Sequence, residues 1–162
     1  MKHLILVRHA KSSWDSPAPD DASRPLNSRG FRDAPKMGQR IASQSIQPEL
    51  IISSTALRAR TTAELIAHAC GYAPTDIKLV NKLYCFDAEI LLQQLKELDN
   101  SYQRILCVGH NPAITGLVNR LCNAGIDNVP TCGVCYLQFD CADWRNIQTG
   151  VLTEFDYPKK TA

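Results

Sequence analysis

The 162-residue chain lacks a strong excess of charge of either sign. Its 18 lysines and arginines nearly balance its 16 aspartates and glutamates, so the net charge is only +2. That small excess argues against nucleic acid or a membrane surface as the main partner. Any anion-binding site must therefore be local and made by a few well-placed cations.

Long apolar runs and a disulfide framework are missing as well. The first apolar run ends at Arg8, which is too short for a signal core or a membrane span. The seven cysteines are an odd number without framework spacing, and the CxxC pair of Cys132 and Cys135 has no second pair beside it. We therefore expect reduced thiols in a cytoplasmic protein, and packing rather than zinc or redox chemistry for that pair.

Short apolar segments alternate with amphipathic stretches along the chain. The strand candidates are "HLILV", "PELIISS", "IKLV", "RILCVGH", "GVCYLQFD" and "GVLTEFDY". Several of them are apolar at consecutive positions, which is typical of strands covered on both faces. No repeat, linker or domain boundary is visible, so we predict one domain over 1–162. Its expected fold is a three-layer α/β/α arrangement around a mostly parallel open sheet.

Helical patterns lie between these strands. One follows Asn27, a plausible cap, although Pro35 is expected to kink or delay it. Others cover 56–71 and 88–98, and a fourth is expected to open with Asn111 as cap and Pro112 as first helical residue.

Cations and imidazoles recur where the predicted strands end. Arg8 and His9 close the first strand, and His110 closes "RILCVG". Ligands of open α/β sheets bind at these carboxyl ends, so the two imidazoles can face each other if the strands are neighbours. Arg58 falls in the first turn of a helix that we expect Ser54 or Thr55 to cap, where a cation opposes the helix dipole unless an anion binds there.

These side chains predict one compact pocket for a dianion. Arg8, His9, Arg58 and His110 would form it, and Asn111, at a second helix start, is a further candidate for substrate binding. His3 and His68 lack such a context and are interpreted as ordinary strand and surface residues.

The segments "LVRHAKSSW", "SSTALRARTTAELI" and "VGHNP", in this order, resemble the histidine phosphatase superfamily, also called phosphoglycerate mutase-like. The form "RHA" and the segment "RPLNSRGFRDA" are similar to the SixA type of phosphohistidine phosphatase. The resemblance implies that His9 is a nucleophile that forms a phosphohistidine intermediate. It also implies that Arg8, Arg58 and His110 hold the transferring phosphoryl group, without a cofactor.

The sequence departs from the superfamily at the glutamate that many members use as general acid. The position that we align with it is Lys82, while Asp87 and Glu89 follow shortly after, with Glu89 expected to face outward. A neutral imidazole leaves far more easily than an alkoxide, so a site without a strong acid favours splitting of P–N bonds.

Together these features predict a metal-independent phosphatase that acts on a phosphorylated protein, such as a histidine phosphotransfer domain, in signal transduction. The sequence offers no DxD motif or histidine-rich cluster for a metal. The segment 11–27 is expected to overhang the end of the first strand, as a partner contact or as a solvated loop. Two alternatives stay open: a broader phosphomonoesterase with Asp87 or an unassigned carboxylate as acid, and a phosphoprotein-binding module without turnover.

Overall fold

The computed structural model describes residues 1–15 and 17–161. Within these residues, six strands form one sheet in the order β3-β2-β4-β1-β5-β6. The strands are β1 (Lys2–Arg8), β2 (Leu50–Ser54), β3 (Lys78–Val80), β4 (Arg104–Gly109), β5 (Val134–Phe139) and β6 (Val151–Asp156). All the predicted strands are present.

The sheet is mostly parallel, as the sequence predicted. β1 pairs in parallel with β4, and β2 pairs in parallel with both β4 and β3. β5 runs antiparallel to β1 and to β6, so it alone among the described strands points the other way. The carboxyl ends of β1, β2 and β4 therefore meet at one edge of the sheet, next to one another.

Two helices cover each face of the sheet and complete the three layers. α1 (Ser28–Ala42) and α2 (Leu57–Ala69) pack on one face, and α3 (Ala88–Lys96) and α4 (Ala113–Cys122) pack on the other. Within β1, Leu4 and Leu6 face the α3 and α4 side, whereas Ile5 and Val7 face the α1 and α2 side. This two-sided burial explains the consecutive apolar residues, each of which contributes roughly 1.5–3 kcal/mol.

The predicted cap of α1 is confirmed, whereas the predicted cap of α2 is not. The Asn27 side chain caps α1 by accepting a hydrogen bond from the Gly30 N–H at 2.9 Å, and Pro35 lies inside the helix without delaying its start. The prediction that Ser54 or Thr55 caps α2 was wrong, because Ala56 occupies that position without a side-chain bond. The Ser54 hydroxyl instead accepts from the Ala56 N–H at 3.2 Å.

The start of α4 also differs from the prediction. Pro112 is the cap and Ala113 the first helical residue, so the helix begins one residue later than expected. The Asn111 side chain still serves the helix, since its Oδ1 accepts from the Thr115 N–H at 3.1 Å and from the Thr115 hydroxyl at 3.0 Å. Along the described residues, no helix has the length and apolar character needed to cross a bilayer.

Candidate active site

Neighbouring parallel strands bring the two histidines together. β1 and β4 pair in a register that sets Arg8 opposite Gly109, so the next residue of each strand, His9 and His110, emerges at the same level. Their ring centroids lie 5.3 Å apart. The sheet ladder thus fixes the spacing of two imidazoles that are distant in sequence.

His9 is held in one tautomer by the backbone of the next residue. Its Nδ1 lies 2.7 Å from the carbonyl oxygen of Ala10. A carbonyl only accepts, so Nδ1 carries the hydrogen and Nε2 keeps a free lone pair. Burial, reinforced by the nearby charges of Arg58 and Arg8, lowers the pKa of His9 to about 4. At pH 7 the ring is therefore neutral and nucleophilic.

A threonine of α2 connects the end of β1 to the arginine helix. The Thr62 hydroxyl accepts a hydrogen bond from the Ala10 N–H at 2.9 Å and donates one to the Arg58 carbonyl at 2.7 Å. Thr62 is fully buried, so both bonds are shielded from water. This contact sets the position of α2 relative to the His9 imidazole.

His110 is buried between two other strand ends. Its Nε2 lies 2.8 Å from the hydroxyl oxygen of Ser54, at the end of β2, and its Nδ1 has no hydrogen-bond partner. Burial, followed by the charges of His9 and Arg58, lowers the pKa of His110 to about 3. If the Ser54 hydroxyl donates to Nε2, the neutral ring presents an Nδ1–H group, which is a donor suited to an anion.

The two arginines also hold unsatisfied donors. Arg8 donates from Nη1 to the carbonyl oxygen of Val129 at 3.0 Å, and Arg58 is buried in the first turn of α2. Across the described residues, four buried side-chain nitrogen or oxygen atoms lack a hydrogen-bond partner. Three of them are Nε of Arg8, Nε of Arg58 and Nδ1 of His110. Because an unsatisfied buried donor costs roughly 1–3 kcal/mol, these groups favour an anionic acceptor.

An open cavity of about 450 Å³ collects these groups. Its lining residues come from the ends of β1 and β4, from α2 and from three loops: Arg8, His9, Lys11, Ser12, Trp14, Asp21, Arg24, Arg58, Phe86, His110, Asn111 and Thr131. All of the predicted site residues are among them. The segment 11–27 contributes several more, so it does overhang the end of β1.

Asp21 is the main residue of the cavity that the sequence did not predict. It lies in a short 3-10 helix, Asp21–Ser23, within the 11–27 segment. Arg58 donates from Nη1 to the Asp21 carbonyl oxygen at 2.8 Å and from Nη2 to the Asp21 carboxylate at 2.9 Å. The Tyr84 hydroxyl and the Arg24 Nε also donate to this carboxylate.

These donors, the Tyr84 hydroxyl first, hold the pKa of Asp21 well below its usual range. Asp21 is therefore ionised at neutral pH and has no proton to give. Among the described residues that line the cavity, it is the one carboxylate. Its position inside an irregular segment without periodicity left no signal in the sequence.

The 11–27 segment is anchored at both of its ends. Ser12 and Leu26 form an antiparallel bridge, and the backbone of Gly30 packs so closely on the Lys11 carbonyl that a Cβ atom there would lie 2.3 Å from the oxygen. Arg24 stacks on the exposed ring of Trp14, with 3.6 Å between guanidinium carbon and ring centroid. The described residues of the segment thus form one wall of the cavity.

Two aromatic residues after β3 complete the other wall. The ring centroids of Tyr84 and Phe86 lie 5.3 Å and 5.4 Å from that of His110. Lys82, the residue aligned with the superfamily's acid, is exposed and does not line the cavity. Asp87 caps α3 by accepting from the Glu89 N–H at 2.7 Å, and Glu89 faces outward and pairs with Arg120.

Asn111 lines the cavity, but its side chain is engaged elsewhere. Its amide nitrogen donates to Asn128 at 3.2 Å and to the Val129 carbonyl at 2.9 Å, while its oxygen accepts twice from Thr115. Both amide hydrogens are therefore used in ordering the 128–129 loop. Its predicted role in substrate binding stays a prediction.

The cysteines have the unpaired state that the sequence suggested. All seven are free thiols. Burial raises the pKa of both Cys132 and Cys135 to about 12, which makes them poor nucleophiles at neutral pH. In the part of the chain that the structure describes, no group of three or more histidine, cysteine or acidic side chains could hold a metal ion.

A neutral imidazole flanked by guanidinium groups suits phosphoryl transfer, which needs positive charge around the equatorial oxygens of the phosphoryl group. Comparison with known proteins supports this chemistry. A family model, Histidine phosphatase superfamily (branch 1), matches residues 4–83. An uncharacterized chloroplastic protein of Arabidopsis thaliana is 32% identical over 152 residues, which cover 89% of this chain and 69% of that protein.

Two solved structures have a similar fold. A candidate phosphohistidine phosphatase, SixA, from Agrobacterium tumefaciens is 27% identical, with a TM-score of 0.81 over 97% of this chain and 98% of that one. The protein histidine phosphatase SixA in complex with tungstate shares the fold at a TM-score of 0.81, 23% identity and coverage of 96% and 97%. The chain belongs to the histidine phosphatase superfamily, and it is a phosphatase with a SixA-like fold.

Proposed function

We propose that the protein hydrolyses phosphohistidine presented by another protein, such as a histidine phosphotransfer domain. Nε2 of His9 attacks the phosphorus atom, so that a new N–P bond forms while the bond to the substrate imidazole breaks. The leaving imidazole departs as a neutral ring when its distal nitrogen carries a proton. Water then hydrolyses the phosphorylated His9, which releases inorganic phosphate and restores the free enzyme.

Each remaining group has a role in this reaction. Arg8 and Arg58 neutralise charge on the equatorial phosphoryl oxygens, and the Nδ1 group of His110 donates a hydrogen bond to one of them. The Ala10 carbonyl keeps the proton on Nδ1 of His9, so that the attacking lone pair stays free. None of these steps requires a metal, and we expect turnover to persist in the presence of a chelator.

One observation carries the choice of substrate. The carboxylate that lines the cavity, Asp21, is ionised and paired with two arginines and a tyrosine, so it is unsuited to protonate a leaving group. An alkoxide leaving group needs such an acid, whereas an imidazole with a pKa near 6.5 does not. The likeness to a candidate phosphohistidine phosphatase supports the same choice.

The shape of the cavity supports a protein-borne substrate. It is open, and exposed aromatic rings of Trp14 and Phe86 stand at its walls. Aromatic side chains of this kind are frequent in protein interfaces. The free thiols suit a reducing compartment such as the cytoplasm, where phosphotransfer signalling would supply the substrate.

The test compares substrates under identical conditions. A histidine-phosphorylated phosphotransfer domain, a phosphoserine peptide and a sugar phosphate are incubated with the enzyme, with and without EDTA. We expect the phosphohistidine protein to be hydrolysed fastest, and EDTA to have no effect. Faster turnover of the sugar phosphate would instead establish the broader phosphomonoesterase, and tight binding without turnover would establish a phosphoprotein-binding module.

The intermediate is tested separately. Rapid quenching should trap phosphate on His9 that is labile in acid and stable in base, located by mass spectrometry. His9→Asn should abolish both labelling and turnover, whereas His68→Gln, which removes an exposed imidazole on α2, should change neither. Turnover by His9→Asn at the wild-type rate would disprove the nucleophile assignment.

A further inference from the structure

A second charged depression lies outside the cavity, between α1 and the segment after β6. It encloses about 470 Å³ and is lined by Arg29, Arg32, Asp33, Lys36, Arg40, Pro158, Lys159, Lys160 and Thr161. We call it the basic groove. Its lining has six cationic side chains and one carboxylate, although the whole chain has an excess of only +2. The rest of the molecule is therefore net negative, and positive charge is concentrated here.

Hydrogen bonds hold two of the cationic side chains of the basic groove in place. Arg40 donates from Nη1 to the Asp156 carboxylate at 3.0 Å and to the Tyr157 carbonyl at 3.1 Å. Lys36 donates to the Pro158 carbonyl at 2.8 Å. These contacts fix the segment after β6 against α1, so that the groove keeps its shape.

Other cations of the groove are only weakly paired. Arg29 and Arg32 both approach the buried carboxylate of Asp33, at 3.5 Å and 3.3 Å, and their side chains are 39% and 70% exposed. One carboxylate cannot neutralise two guanidinium groups, and Lys159 adds a further exposed charge. Positive charge is therefore available to an outside partner.

The groove begins beside the cavity. Gly30, next to Arg29, packs against the Lys11 carbonyl, and Lys11 lines the cavity. From Arg29 to Arg40, α1 rises by about 17 Å at 1.5 Å per residue. A partner whose phosphohistidine enters the cavity would thus lie within reach of the basic side chains.

Resting on the proposed function, we propose that the basic groove is the docking surface for an acidic face that flanks the phosphohistidine of the partner protein. Complementary charge speeds encounter and orients the two molecules, and it does so most strongly at low salt. A free phosphorylated amino acid cannot reach the groove, so the groove should affect only substrates that carry an acidic flank.

Two synthetic phosphohistidine peptides test this docking. They have the same length, and one has a run of glutamates beside the phosphohistidine where the other has glutamines. The double variant Arg32→Gln/Lys159→Gln removes exposed charge from the groove. The matched control Lys96→Gln/Arg145→Gln removes the same charge outside the groove, from the half-buried Lys96 at the end of α3 and from the exposed Arg145 after β5.

We expect the wild type to prefer the acidic peptide by about tenfold in kcat/KM at low salt, since exposed ion pairs contribute up to about 1 kcal/mol each. The preference should fall at least threefold in the groove variant and stay unchanged in the control. Turnover of free phosphohistidine should be the same in all three proteins. Equal use of both peptides by the wild type, or an undiminished preference in the groove variant, would overturn the proposal.

A binding measurement separates this proposal from the proposed function. The unphosphorylated acidic peptide, labelled with a fluorophore, should bind in a salt-dependent manner, as measured by anisotropy, and more weakly to the groove variant. If no phosphohistidine substrate is hydrolysed but this binding is seen, the proposed reaction fails and the docking surface stands. Tighter binding of a DNA oligonucleotide than of the peptide through the same residues would overturn the docking proposal.

Discussion

Replacing Asp21 by asparagine should make the cavity bind inorganic phosphate more tightly. The carboxylate lies 2.9 Å from Nη2 of Arg58, so a phosphate oxygen that binds the same guanidinium must come within a few ångströms of a like charge. Asparagine removes the charge but keeps the backbone carbonyl that accepts from Nη1 at 2.8 Å. Arg58 therefore retains one of its two anchors on the 11–27 segment.

The size of the effect follows from distance and exposure. Two unit charges at 4 Å interact by about 1 kcal/mol in water and by about 4 kcal/mol at an effective dielectric constant near 20. The Asp21 side chain is 44% exposed, so solvent screening places the value toward the lower end. We expect a gain of about 1–2 kcal/mol, or roughly 5- to 30-fold in the Kd of phosphate.

Isothermal titration calorimetry with inorganic phosphate measures this change directly. Asp20→Asn is the matched control, because it removes the same charge one residue away, and asparagine can still cap the 3-10 helix as Asp20 does through the Ser23 N–H. Unchanged or weaker phosphate binding in Asp21→Asn would refute the electrostatic argument. Selective loss of turnover on alkyl phosphates would show that Asp21 does supply a proton after all.

Three further changes probe the supports of the site. Thr62→Val should reduce the free energy of unfolding by about 1–3 kcal/mol, measured by urea denaturation, because the buried Ala10 N–H loses its acceptor. Gly30→Ala should destabilise by about 1–3 kcal/mol in the same assay, since its Cβ would meet a backbone oxygen. The free energy of unfolding should also fall between about pH 6.5 and pH 4, by up to about 1.4 kcal/mol per pH unit for each of His9 and His110. Burial lowers the pKa of both below that of the unfolded chain, which takes up protons first.

Each of these outcomes has a contradicting result. A wild-type urea midpoint for Thr62→Val would mean that the Ala10 N–H finds another acceptor. The same result for Gly30→Ala would mean that the 11–27 segment can shift without cost. The acid-dependent loss should become smaller in a His110→Gln variant and remain in His68→Gln, so an equal slope in both variants would argue against the buried imidazoles as its source.

The sequence predicted the site where local pattern and topology agree. Runs of apolar residues end at His9 and His110, and the rule that ligands bind at carboxyl strand ends brings the two together without any knowledge of contacts. Arg58 was identifiable because a cation in a first helical turn is unfavourable on its own. Physical reasoning on strand ends and helix ends was sufficient for these residues.

It was not sufficient for the residues that surround them. Asp21 lies in an aperiodic segment, and its pairing with Arg58 spans 37 residues, for which no local signal exists. Tyr84 follows a three-residue strand, where a hydrophobic pattern is too short to orient a side chain. The prediction placed the start of α4 one residue too early, because an Asn-Pro sequence suits more than one capping geometry. The hydrogen bonds between Thr115 and the Asn111 side chain identify the geometry that is present.

The in-register pairing of β1 with β4 separates the site into two parts with different resistance to unfolding. The histidines are joined to central ladders, whose amide protons should exchange only when the whole sheet opens. Asp21 and Trp14 lie outside these ladders, and Asp21 is held mainly by side-chain contacts with Arg58 and Tyr84. In increasing denaturant, the 11–27 segment should therefore detach while His9 and His110 still face each other. The catalytic centre should then become wider before the protein as a whole unfolds.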